Sequence, residues 1–178
     1  MNNERYNRVA VALHWLLALG LIAQFGLGLW MEEIPKDPPG VRAFWFNLHK
    51  SIGLLLTLFV LWRMGWRVAH AAPADLPATP VWQAKLAKLV HGLMYVLMLL
   101  IPVTGFLGSS FSQYPVKFFG LVLPRLWDAQ PELKEILAEV HENTAWILAA
   151  LVALHVLAVV WHTAVKKDGL LNRMRWGA

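Results

Sequence analysis

The stretch VHENTAWILAALVALHVLAVVWHTAV, residues 140–165, carries one formal charge, Glu142, and three histidines, His141, His155 and His162. At about 1.5 Å per residue, a helix of this length crosses the roughly 30 Å of bilayer hydrocarbon. Backbone groups there satisfy one another within the helix, but an imidazole still needs a partner, which makes each histidine a functional candidate. His141 and His155 stand fourteen positions apart. At about 100° per residue this is four turns less about 40°, so both rings leave one face about 21 Å apart. Two sites follow, one above the other. A single metal ion held by protein alone would want ligands a turn apart, as in His at i and i+4 or the Glu-x-x-His pattern of di-iron bundles, and neither arrangement is visible. Two b-type haems between helices suit the spacing, each iron taking one axial imidazole from this helix and one from a neighbour.

Working outward, three more runs reach about 20 apolar residues, at 9–30, 48–66 and 89–111, and no fifth qualifies. The first follows Arg5 and Arg8 like a secretory leader, but it is too long, contains His14 and meets no small-x-small cleavage pattern, so it reads as a mature helix. The expected fold is all-α: an integral membrane four-helix bundle, with residues 1–178 forming one transmembrane domain that holds two haems b between its helices. No internal repeat, low-complexity tract or domain linker interrupts it.

The partners of His141 and His155 must match them in depth. His49 starts the second span from the same side as His141 starts the fourth, so these two can meet around an outer haem. His14, some six residues inside its helix, is placed for an inner haem with His155. Depth alone leaves that pairing open, because His155 is roughly 16 Å from the basic edge at Lys166 and His162 only about 6 Å. His91, close to Lys88 at the inner surface, is a further candidate. The ordinary alternative for each is an interhelical hydrogen bond from a packed histidine, but four at paired depths favour haem. For His91 and His162 a structural role, or a contact to a haem propionate, a quinone carbonyl or water, is preferred over axial ligation. His70 falls in a loop and reads as solvated. Gly26, Gly28, Gly53 and Gly105 would let a macrocycle approach backbone or simply let helices touch, and Pro102 marks a kink in the third span.

Composition agrees with a bilayer setting. Of 178 residues, 58% are hydrophobic and 15% charged, and there is no cysteine. That absence excludes disulfides, thiolate metal sites, iron–sulfur clusters and covalent haem attachment, leaving redox chemistry to a bound cofactor. The net charge of +5 does not point to nucleic acid, because the basic residues sit beside long apolar runs. It describes topology. Ten of the sixteen lysines and arginines fall in the amino-terminal tail, the second connection and the carboxy-terminal tail, against only Glu4, Asp75 and Asp168. The other two connections carry a balance of −2. Both termini are therefore expected on the cytoplasmic side. Trp30, Trp45, Trp62, Trp66, Trp82 and Trp127 lie near the interfaces as anchors. Pro35, Pro38, Pro39 and Gly40 mark the first connection as turns, and Pro73, Pro77 and Pro80 the second. The third, 112–139, is the longest and is expected to hold a short amphipathic helix over 131–140.

These residues resemble the bacterial cytochrome b561 family. The likeness is carried by Arg5-Tyr6-Asn7-Arg8 with Leu13-His14-Trp15, by Leu48-His49-Lys50-Ser51-Ile52-Gly53-Leu54 with Arg63 downstream, and by His91 with Tyr95. It continues through Ile101-Pro102-Val103-Thr104-Gly105, Phe118-Phe119-Gly120-Leu121 and His141-Glu142, then from His155 and His162 to Lys167-Asp168-Gly169-Leu170-Leu171-Asn172-Arg173-Met174. It covers nearly the whole chain and extends to the small stand-alone members that oxidise superoxide. The resemblance implies a bacterial inner-membrane protein with two haems b, ligated by His14 with His155 and by His49 with His141. It implies ubiquinone as the membrane-soluble acceptor, with His162 and His91 near an inner quinone site, and periplasmic superoxide as the donor.

Superoxide is an anion, and cations at an outer cleft would raise its encounter rate. Arg42, seven residues before His49, is the candidate for that steering. Lys36, Lys50, Lys117, Arg125 and Lys134 are lesser contributors in loops that are net acidic. With iron carrying two protein ligands, an electron is delivered at a haem edge and neither base nor nucleophile is needed; Glu142 then supports its neighbour or the interface. Two other readings remain. One is a cytochrome b subunit passing electrons between the quinone pool and a redox protein partner such as a dehydrogenase, a hydrogenase or a soluble haem protein. The other is a membrane scaffold or metal-ion carrier without haem.

Overall fold

The computed structural model describes residues 5–38, 40–76 and 79–176; Glu4, Pro39 and Pro77 lie outside the described residues. Four long helices account for most of the chain: α1 (Arg8–Glu33), α2 (Val41–Ala69), α3 (Val81–Ser110) and α4 (Pro131–Trp161). All four are long and apolar enough to cross a membrane. The fold is an all-α membrane four-helix bundle. Each helix begins ahead of its apolar stretch, whereas α3 stops at Ser110 and α4 gives way to a π-helical turn after Trp161, short of the ends expected for those runs. The early start is clearest in α4. The short amphipathic helix expected over 131–140 is not separate: Pro131 occupies the first turn, where its missing N–H costs nothing, and no Gly or Pro intervenes before His141. The wet turns therefore run without a break into the membrane-length run.

Asn7 caps α1 through Oδ1, which accepts from the Ala10 amide at 2.9 Å and from Trp66 Nε1 at 3.1 Å. That second bond ties the start of α1 to the end of α2. At the other terminus the chain turns back: Trp15 Nε1 donates to the Met174 carbonyl at 2.8 Å and the Tyr6 amide to the Arg173 carbonyl at 3.3 Å. Both ends of the described chain thus meet at one end of the bundle.

At the opposite end stands a small hairpin that short-range periodicity could not reveal. Strands β1 (Lys117–Phe118) and β2 (Leu121–Val122) pair antiparallel, with Lys117 opposite Val122 and Phe118 opposite Leu121. The two residues between them, Phe119 (φ 46°) and Gly120 (φ 92°), both have positive φ, the signature of the tight turn that matches strand twist. Ser51 of α2, only 1% exposed, pins the hairpin: its Oγ accepts from the Phe119 amide at 2.8 Å and donates to the Asn47 carbonyl at 2.7 Å.

α1 packs on α2, α2 on α3 and α3 closely on α4, whereas the backbones of α1 and α4 scarcely touch. A compact apolar cluster of Leu17, Leu56 and Val60, flanked by Leu21, Ile52, Phe59 and Met98, joins the first three helices. Elsewhere large apolar side chains face outward, as at Leu19 (65% exposed) and Leu157 (63%), which is what a hydrocarbon solvent requires.

Candidate functional site

α1 and α2 reach α4 through their histidines. The ring centres of His14 and His155 are 6.3 Å apart, at an interplanar angle of 70°. Nearer the hairpin, the ring centres of His49 and His141 are also 6.3 Å apart, at 76°. The two pairs occupy two levels of α4, as the fourteen-residue spacing requires.

The repeated separation has a physical meaning. A first-row metal takes an imidazole nitrogen at about 2.0 Å, and the ring centre lies roughly 1.1–1.2 Å behind that nitrogen, so two rings on opposite sides of one iron have centres about 6.3 Å apart. Both pairs fit that distance. His91 also approaches His155, but at 5.3 Å, which is too close for a shared axial position. His162 does not join either pair.

The surroundings of each ring suit a ligand. His141 Nδ1 is 2.8 Å from the Ile101 carbonyl. A carbonyl only accepts, so Nδ1 carries the proton and Nε2 keeps its lone pair, the arrangement that prepares a histidine for a metal. Gly105, next to this contact, is there for the imidazole: a Cβ at that position would stand 2.8 Å from His141 Cε1 and Nδ1. Gly28 similarly faces His49 Cε1, and Gly53 faces the amide of Gln24, whereas a Cβ at Gly26 would meet nothing. These glycines make room for side chains of the site. On the His49 side, Gln24 Nε2 donates to the His49 carbonyl at 2.6 Å, while Gln24 Oε1 and His49 Nδ1 are buried without a hydrogen-bond partner. In the sequence Ser51 and Ile101 stand out only as members of the resembling motifs, and Gln24 not at all, because their roles depend on which helices become neighbours.

Below the His14 pair, Arg63 reaches across from α2. Its Nη1 donates to the Ala10 carbonyl at 2.8 Å, its Nε to the Tyr95 hydroxyl at 3.1 Å, and its Nη2 stands 3.5 Å from His14 Nδ1. His70 ends α2, exposed and stacked on Trp66 at 3.9 Å.

His162 opens a π-helical turn, His162–Lys166, a distortion often found at functional positions. Its Nδ1 bonds the Asp168 carboxylate, whose other oxygen accepts from the Leu170 amide at 3.1 Å. Burial pushes the Asp168 carboxyl up, and these two hydrogen bonds, together with the attraction of His162 and Lys166, more than offset it, holding the group below the ordinary carboxylate value. Lys166 donates to Gln83 of α3 at 2.9 Å and lies over the Trp161 ring.

At the hairpin end Arg42 binds the carbonyls of Glu32 (3.0 Å) and Ile34 (2.9 Å), where α1 stops, and lies over Phe46. Arg125 similarly holds the Ser112 and Gln113 carbonyls. Both guanidiniums therefore have a structural task, with their charge left at this end. Lys50 follows His49 on α2, and Lys117 lies in the hairpin that Ser51 anchors.

Four membrane-length helices with facing imidazoles at two depths define a membrane-embedded redox carrier of the b-cytochrome kind. A profile of the family described as "Prokaryotic cytochrome b561" matches residues 5–177. The chain belongs to that family, and with it to the membrane proteins that bind haem b and transfer electrons. It is 32% identical to "Cytochrome b561 homolog 2" of Escherichia coli (strain K12) over 177 residues, covering 96% of this chain and 91% of that one. It is 26% identical to "Cytochrome b561 homolog 1" of the same organism, covering 96% and 97%. It is 25% identical to "Probable superoxide oxidase CybB" of Yersinia pestis, covering 97% and 96%.

Proposed function

We propose that this chain carries two haems b, one between His14 and His155 and one between His49 and His141, and moves electrons from superoxide to ubiquinone. The observation that carries the reading is the equal 6.3 Å separation of the two imidazole pairs, which suits two irons at two heights. When bound, the haems supply reversible one-electron exchange. The chain's own residues do the rest: the Ile101 carbonyl orients His141, and the apolar helix faces exclude water.

Two superoxide ions give two O2 and two electrons, and one quinone takes both electrons with two protons to become quinol. The donor side is the hairpin end, where Lys50 follows His49 and Arg42, Lys117 and Arg125 add positive charge that would focus an anion. The relative named for superoxide oxidation supports this donor, and at 25% identity it supports it modestly. The acceptor side is the end that carries the termini, where His162, Asp168 and His91 offer imidazole and carboxylate groups to a quinone headgroup. The excess of basic residues at that end supports both termini in the cytoplasm, and the family likeness supports a bacterial inner-membrane location.

Stopped-flow absorbance of the purified, haem-loaded protein mixed with superoxide tests donor and acceptor together. Rapid reduction of both haems, followed by reoxidation only when ubiquinone is present, is expected. If superoxide leaves the haems oxidised while quinol reduces them, the donor is a redox protein partner and the superoxide reading fails.

A further inference from the structure

Next to Arg63, which reaches toward His14, the bundle opens a cavity lined by Arg5, Arg63, Arg67, Tyr6, Tyr95 and His70, with three guanidiniums and, among the described residues, no carboxylate in its wall. The only ion pairs among the described residues, Lys88–Asp75 and His162–Asp168, lie elsewhere. Arg67 donates to the Tyr6 hydroxyl at 2.9 Å and lies over its ring. Arg63 is half-buried and finds only neutral acceptors, Ala10 and Tyr95, for two of its arms. A guanidinium at this depth without a counter-charge is costly, and its planar fork matches a carboxylate.

The third arm of Arg63 gives the cavity its ligand. Nη2 faces His14 Nδ1 at 3.5 Å. If His14 binds iron through Nε2, Nδ1 carries a hydrogen, and two donors then face each other. Nη2 must turn to another acceptor. None of the described residues lining the cavity is acidic, and an acidic group of a bound ligand would supply that acceptor.

We propose that this cavity receives the propionate carboxylates of the haem held by His14 and His155, with Arg63 as the primary contact and Arg67 and Arg5 supporting it. The proposal rests on the reading of His14 and His155 as ligands. It makes Arg63 a positioning residue that orients the macrocycle through its acidic edge and neutralises charge that would otherwise be buried.

The full-length chain, stripped of haem in detergent, is reconstituted with haem b or with its dimethyl ester, whose propionates are neutral and esterified. Binding is followed by absorbance in the unmodified protein, R63Q, R63K and R67Q. In the unmodified protein, esterification is expected to weaken the His14-dependent site about ten- to hundredfold, the scale of a charge-assisted hydrogen bond. R63Q is expected to weaken natural haem by a similar factor while making ester binding no worse, and R63K to recover part of the loss. Such non-additivity reports direct contact. R67Q, at a more exposed position, supplies the same cycle with a smaller coupling should R63Q not fold. Additive losses, or no effect of esterification, overturn the proposal. So does unchanged haem binding in R63Q with a loss of bound lipid phosphorus, which would make the anion a phospholipid phosphate. If natural haem never occupies a His14-dependent site in the unmodified chain, the ligand reading itself fails, an outcome distinct from the others.

Discussion

The Ile101 carbonyl accepts from His141 Nδ1 at 2.8 Å, and this one contact links the third helix to the ring that the fourth helix presents to His49. It fixes the tautomer, while Thr104, 5% exposed, bonds the Leu100 and Ile101 carbonyls one turn away and steadies the same strip of backbone beside Pro102. Gly105 completes the arrangement by leaving room for the imidazole.

Gly105→Ala should therefore act on the site from the third helix. A methyl 2.8 Å from His141 Cε1 and Nδ1 must displace the ring or the helix, and overpacking of this kind costs about 1–3 kcal/mol. The expected result is loss or spectral perturbation of the haem served by His141, with the His14 haem unchanged. Gly26→Ala, where a Cβ meets nothing, should leave the haem-to-protein ratio as it is. Equal haem loss in both variants would show that the close approach at Gly105 has no special role.

Under the proposed function, His49→Ala and His141→Ala should each remove the same haem and leave the other reducible by quinol, because the pairs sit at separate levels. His14→Ala should remove the other. Reduced-minus-oxidised spectra of the three variants settle the pairing; loss of the His14 haem on changing His49 would contradict it.

Much of this arrangement was legible before any coordinates, and the reason is helical periodicity. Fourteen residues between His141 and His155 is close to four whole turns, so stacking of two sites follows from one helix alone. Depth was less informative at the end that carries the termini, where His91, His155 and His162 all stood within reach of one level. There the family resemblance, not depth, implies His155 as the partner of His14; in the structure His155 lies 6.3 Å from His14, His91 lies 5.3 Å from His155, and His162 turns to Asp168. The hairpin could not be seen because its strands are two residues each, too short for alternation, and its turn depends on a positive φ at Phe119, a residue that gives no such signal. Arg42 was read for its charge, and its carbonyl contacts depend on how the first connection closes.

Ser51→Ala should loosen the hairpin without changing α2. The substitution removes the acceptor of the Phe119 amide; Ser51 is buried but Phe119 is 57% exposed, so the loss is about that of one ordinary hydrogen bond, about 0.5–1.5 kcal/mol. Faster hydrogen exchange at Phe119 and easier proteolysis of 112–130 are expected, with the His14 haem untouched. Under the proposed function, superoxide-driven haem reduction should change while quinol-driven reduction does not. Unaltered exchange at Phe119 would mean that strand pairing alone holds the hairpin.

The His162–Asp168 contact makes a prediction whose sign is set by the carboxylate. Asp168 titrates below its ordinary value because the effect of burial, which raises it, is outweighed by the hydrogen bonds from His162 and the Leu170 amide together with the attraction of His162 and Lys166. Its contribution to the turn at 162–174 is therefore complete above the unfolded carboxyl's pKa and disappears as the pH falls through the lower, folded value. Limited proteolysis of this segment should accelerate on acidification in the unmodified protein. In Asp168→Asn it should be faster already at neutral pH and nearly flat across the same range. Under the proposed function, the haem-to-protein ratio should hold in that variant and in His162→Gln, because neither residue belongs to an imidazole pair, while exchange of electrons with quinone should slow. A stoichiometric loss of one haem in His162→Gln would make His162 a ligand and would displace His14 or His155 from the assignment.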